Sequence, residues 1–140
     1  MYIALRTLAG ILIGIIVTIV LVVAVEFLSS VVHPFPEDFG GSEEEVCQHV
    51  ERCPHWVLAM AVAAWTIAAF AGAWTAQRLG NLCSFAVVSL LVLAALVMNL
   101  SMLPYPIWFK IATLLAIPIA MAAGGRLATR NKTEGAGGSK

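Results

Sequence analysis

His33-Pro34-Phe35-Pro36 and Leu103-Pro104-Tyr105-Pro106 decide the fold. Proline fixes φ and has no amide proton, so a Pro-aromatic-Pro triplet ends a helix and marks an elbow. Each elbow follows a long apolar run and precedes another. The second runs close alike, as Gln77-Arg78-Leu79-Gly80 and Gly125-Arg126-Leu127-Ala128. The pattern predicts one helical hairpin written twice, with a polar insert, 33–55, after the first elbow.

Composition sets the solvent. Of 140 residues, 61% are hydrophobic and 11% charged, where a soluble domain carries roughly a quarter charged residues. One small soluble core cannot bury that much apolar surface, so a lipid bilayer is the expected partner. The formal net charge is zero, which leaves no basic field for nucleic acid. Four stretches, near 5–32, 56–78, 82–103 and 107–128, are long enough to cross about 30 Å of hydrocarbon. Inside a bilayer each backbone amide finds its partner within its own segment, so all four are expected to be helices. Arg6 ahead of the first run resembles the start of a signal peptide, but the apolar core is too long for one, so a retained helix is expected. The expected fold is an all-α four-helix transmembrane bundle of two parallel-repeated hairpins, one domain over 1–130, with a flexible tail over 131–140.

Arg6, Arg78, Arg126, Arg130 and Lys132 fall on one side of this arrangement, and Arg52 and Lys110 on the other. The positive-inside rule then puts both termini in the cytoplasm. The insert, acidic through Glu37, Asp38, Glu43, Glu44, Glu45 and Glu51, faces outward. Trp56, Tyr105 and Trp108 fit an outer aromatic belt and Tyr2 an inner one, while Trp65 and Trp74 lie deeper, as packing residues.

Small residues repeat every fourth position in two segments: Ala64, Ala68, Gly72, Ala76 and Gly80, then Ala112, Ala116, Ala120, Gly124 and Ala128. Positions four apart share a helix face. In lipid, helices associate where small side chains let backbones approach. Gly72, Ala76, Ala116, Ala120 and Gly124 are therefore candidate packing positions, and the two ladders are expected to face each other or a partner subunit. Gly10 and Gly14 form a weaker version. Pro118 removes one hydrogen bond inside the last helix and is expected to bend it.

In the insert, Ser42-Glu43-Glu44-Glu45 matches a capping box after Gly40-Gly41 and predicts a short helix from about 43 to 52. Cys47 and Cys53 are a disulfide candidate in an oxidising compartment, with unpaired thiols the next alternative. On one straight helix they would point about 120° apart, so the helix must end before Cys53 for a bridge to form. Cys47, His49, Cys53 and His55 are a weaker candidate for zinc or copper, because no standard ligand spacing matches.

Glu26 is the one acid within a spanning segment, and such a group is costly and a site candidate. His33 follows by two turns on nearly the same face. With Asn99 and Lys110 they form an expected polar cluster in the outer third. Structural pairing of Glu26 with Lys110 or Asn99, a ligand or proton site, and a metal site all stay open. No nucleotide loop, nucleophile elbow or zinc-protease motif appears, so no catalytic residue and no cofactor is assigned.

Val25-Glu26, Pro34-Phe35-Pro36, Trp74-Thr75-Ala76-Gln77-Arg78, and Asn99-Leu100 followed by Pro104, Pro106 and Trp108 together resemble a group of small, uncharacterised bacterial four-helix membrane proteins. The resemblance implies a bacterial inner-membrane protein and no activity. Three functions compete, in this order: an oligomeric structural or accessory membrane subunit; binding or transport of a small molecule, lipid or ion around Glu26; and a metal or enzyme site using the outer His and Cys residues.

Overall fold

The computed structural model describes residues 2–137, with side-chain environments through Arg130. Among these the protein is all helical: α1 Tyr2–Val32, α2 Glu43–Glu51, α3 His55–Leu79, α4 Leu82–Met102 and α5 Ile107–Gly137. α1, α3, α4 and the Ile107–Arg130 part of α5 are each long and apolar enough to cross a membrane, which makes this a multi-pass membrane protein by length and composition. The described part of the expected tail continues α5 as far as Gly137. The rest of the tail lies outside the described residues. α5 is assigned as one helix through Pro118.

The breaks have local causes. Pro54 caps α3, its carbonyl accepting from the amides of Val57 (3.0 Å) and Leu58 (3.2 Å), and Pro106 does the same at α5 for Phe109 (3.0 Å) and Lys110 (3.2 Å). At α2 the capping box forms as expected: the Ser42 hydroxyl accepts from the Glu45 amide at 3.3 Å, and Glu45 Oε2 accepts from the Ser42 amide at 3.0 Å. Gly41, at φ 82°, makes the turn into it, in backbone space that glycine enters at little cost.

α3 is the central helix. One face of it packs along α1 and another along α5, while α4 is held more loosely. Its small-residue ladder is buried from Ala68 through Gly72 and Ala76 to Gly80. The ladder does not face its counterpart on α5; it faces α1. A Cβ on Gly14 would lie 2.8 Å from that of Ala76, one on Gly10 would lie 2.5 Å from Gly80 Cα, and one on Gly72 would collide with Thr18. The two α1 glycines, the weakest of the three small-residue signals, are thus the true partners of the strongest. The second ladder is also turned. The buried stripe of α5 runs through Phe109, Thr113, Ile117, Met121, Gly124 and Ala128, leaving Ala112, Ala116 and Ala120 half-buried. Gly124 meets the second face of α3, where a Cβ would lie 2.7 Å from the Phe70 carbonyl. Larger side chains of α5 fill the core with Leu58, Ala69, Ala73, Leu96 and Leu100, so small residues are needed only where α5 crosses closest to α3.

A second network closes the α3–α4 turn. Asn81 Nδ2 donates to the Thr7 hydroxyl (2.7 Å), the Ser84 hydroxyl donates to the Thr7 carbonyl (3.0 Å), and Asn81 Oδ1 caps α4 by accepting from the Ser84 amide (3.1 Å). Arg6 Nε donates to the Leu79 carbonyl at 3.2 Å. These bonds tie the start of α1 to the start of α4. Beyond them the two helices part.

Candidate ligand site

Where α1 and α4 part, a cleft of about 500 Å³ opens between them. Its walls are apolar: Ile15, Ile19, Val22 and Val23 on α1, and Val88, Leu91, Val92 and Ala95 on α4. Trp65 and Ala69 of α3 and Ile117 of α5 form its floor. Polarity gathers at the α2 end, in Glu26, Trp65 and Asn99. The same three residues line a second cavity of about 200 Å³ beneath α2, with Ser29, Ser30, His33, His49, Cys53 and Tyr105. The two spaces therefore meet across Glu26, Trp65 and Asn99.

Glu26 Oε1 accepts a hydrogen bond from Trp65 Nε1 at 3.2 Å. Trp65 is itself held edge-on to Phe109 (centroids 5.7 Å) and Tyr105 (6.4 Å), which stack on each other at 4.5 Å. Aromatic packing thus fixes the indole that orients the carboxyl group. Two polar atoms at the site are buried with no hydrogen-bond partner, His33 Nε2 and Asn99 Oδ1. An unmade hydrogen bond in a buried place costs about 1–3 kcal/mol, so such atoms are rare in a purely structural setting.

The cap that covers this end is built by stacking. The His49 ring lies 4.3 Å from His33 and 4.2 Å from Phe35, and Phe35 lies 4.3 Å from Phe39. The first elbow therefore works as a platform for α2. Burial, and then the nearby His33, pull His49 below the usual histidine value. The Ser42 backbone amide, then its hydroxyl, hold Glu45 below the usual carboxylate value. Burial first, then the charge of Glu26, push the Tyr105 phenol up to about 12, so it keeps its proton. Burial also raises the Cys53 thiol.

Of the four expected cluster members, Glu26, His33 and Asn99 come together and Lys110 does not. Phe109 and Thr113 take the buried stripe of α5, and Lys110 is half-buried beside it. It lines neither cavity and pairs with no acid among the described residues. The Glu26–Lys110 pairing is thus replaced by Glu26–Trp65. Cys47 and Cys53 are free thiols, as is Cys83. α2 does end before Cys53, but Cys53 then packs against the core instead of turning to Cys47. The metal candidate also fails: among the described residues no three His, Cys, Asp or Glu side chains converge on one point. His49 is held in the cap stack while His55 lies against Trp108, centroids 5.7 Å apart. Tyr105 packs in the Trp65–Phe109 cluster, whereas Trp56 and Trp108 are exposed. Trp65 was legible only as a packing residue, because a span of 39 positions to Glu26 leaves no local signal.

Compared with known proteins, the chain matches no family model, no curated protein and no solved structure.

Proposed function

We propose that this protein binds a lipid-like amphiphile, its polar part beside Glu26 and its chain in the cleft between α1 and α4. One observation carries the reading: an apolar cleft and a polar pocket share Glu26, Trp65 and Asn99 as their common wall. An amphiphile has that division. Along α1 the cleft extends from Ile15 to Glu26, about 16 Å at 1.5 Å per residue. That is close to half of a roughly 30 Å hydrocarbon core, the depth of one leaflet's chains. The volume lies in the range of small-molecule sites, about 300–1,000 Å³.

The setting belongs to the same proposal. The protein sits in a bacterial cytoplasmic membrane with both termini inside, a reading supported by Arg6, Arg78 and Arg126 at the ends remote from α2. The site then opens to the outer leaflet. The two hairpins are a parallel repeat, supported by the matching elbows and Arg-Leu endings. A second reading, an accessory subunit that joins copies of itself or a larger complex, is favoured by α4, whose Leu90, Leu91, Val97 and Met98 are exposed and which its neighbours hold least.

A single-chain amphiphile carrying a diazirine at mid-chain tests the binding reading. After photolysis in nanodiscs, label should concentrate on Ile19, Val23, Leu91 and Ala95. Equal labelling of exposed apolar positions remote from the cleft, such as Leu8 and Leu127, would refute it.

A further inference from the structure

We infer that the polar end of the cleft selects an amphiphile with an amine head and rejects anionic heads. This rests on the binding reading above and specifies its ligand. Three groups facing the site have acceptor oxygens to spare. Glu26 keeps one carboxyl oxygen beyond the bond from Trp65. Asn99 Oδ1 is buried and unpartnered. Ser30 spends its proton on the Phe27 carbonyl at 2.8 Å, which leaves its oxygen to accept. The indole N–H of Trp65 is already committed to Glu26.

Charge points the same way. Glu26 pairs with no cation among the described residues, and Lys110, its expected partner, lines neither cavity. An acid at membrane depth is costly until it is paired or neutralised. An ammonium group carries three donors and no acceptor, which answers the carboxylate, the amide oxygen and the hydroxyl together. Trp65, Tyr105 and Phe109 also line the pocket, and aromatic rings attract a cation through their quadrupoles. A phosphate or carboxylate head would set one negative charge against another.

Three probes with one chain separate head selection from chain binding: hexadecylamine, hexadecanol and palmitate. Each is titrated at pH 7 into the full-length protein in zwitterionic nanodiscs, with empty discs subtracted, and bound probe per protein is read by mass spectrometry. Hexadecylamine should bind about tenfold or more tightly than palmitate, the scale of one charge-assisted hydrogen bond, with hexadecanol between them. Glu26→Gln should remove most of the amine preference and leave hexadecanol nearly unchanged. Ala95→Trp, which places an indole in the cleft, should weaken all three. Equal binding of the three probes, or an amine preference that survives Glu26→Gln, overturns head selection while the binding reading stands. No saturable binding of any probe overturns both.

Discussion

Two polar clusters sit at opposite ends of α1, and they are built in opposite ways. At the start of the helix, Thr7, Asn81 and Ser84 satisfy one another over 2.7–3.1 Å, and α1 and α4 close around them. At the far end, Glu26 has a single partner, and His33 Nε2 and Asn99 Oδ1 have none. There α1 and α4 stand apart around a cleft of about 500 Å³. A completed network beside closed helices serves the fold. The incomplete one lies beside an open, lined cavity, and the binding reading rests on that pairing.

The largest effect that sharpens this contrast belongs to the closed seam. Gly72→Leu would drive a side chain into Thr18, and overpacking of this kind costs about 3 kcal/mol. Thermal unfolding in detergent should show a large fall in Tm. Next comes Asn81→Ala, which removes a helix cap and the bond to Thr7 and should cost about 1–2 kcal/mol by the same measurement. Glu26→Gln should shift stability by no more than about 0.5 kcal/mol, because an amide oxygen can still accept from Trp65. If Glu26→Gln were as damaging as Asn81→Ala, the distinction between the two ends would break.

The smallest effect concerns the cap. His49 is held below its ordinary value of 6.5, so its docked form is the neutral one. The undocked ring takes up its proton at higher pH than the docked ring. Docking is therefore at full strength above about 6.5 and weakens as pH falls from there toward the lowered value. Glu45, lowered from 4.5 by Ser42, adds a second loss in stronger acid, as pH falls through its own lowered value. Protection of the Glu43–Glu51 amides, taken relative to the intrinsic exchange rate at each pH, should fall in two steps on acidification. His49→Phe keeps the stack without the proton and should erase the first step alone.

The sequence made some of this legible for clear reasons. Length and apolarity set the four long helices, and proline placed the elbows. A four-residue capping signature located α2. All of these are local. Relations between helices were harder. The small-residue ladder on α3 marked a close approach but not its partner, because Gly10 and Gly14 on α1 are only two residues and gave a faint signal. On α5 the first three ladder alanines lie one position off the buried stripe, since Ile117 and Met121 fill space that alanine would leave empty. Glu26, His33 and Asn99 could be gathered because each lies near the same end of its helix. Lys110 lies at that depth too, yet depth does not give rotation about the helix axis. Of the Thr7–Asn81–Ser84 network only the cap is local, Asn81 three residues before Ser84 having the spacing of a capping box; the bonds to Thr7 span 74 and 77 positions.

The central claim is that the open end of α1 holds one amphiphile. Native mass spectrometry of the protein, saturated with hexadecylamine and transferred from mild detergent, tests it most directly against a pair of variants. The account predicts one retained adduct in the wild type, its loss in Ala95→Trp, and its persistence in Asn81→Ala despite that variant's lower stability. An adduct unaffected by Ala95→Trp, or one that follows stability instead of the cleft, would contradict it.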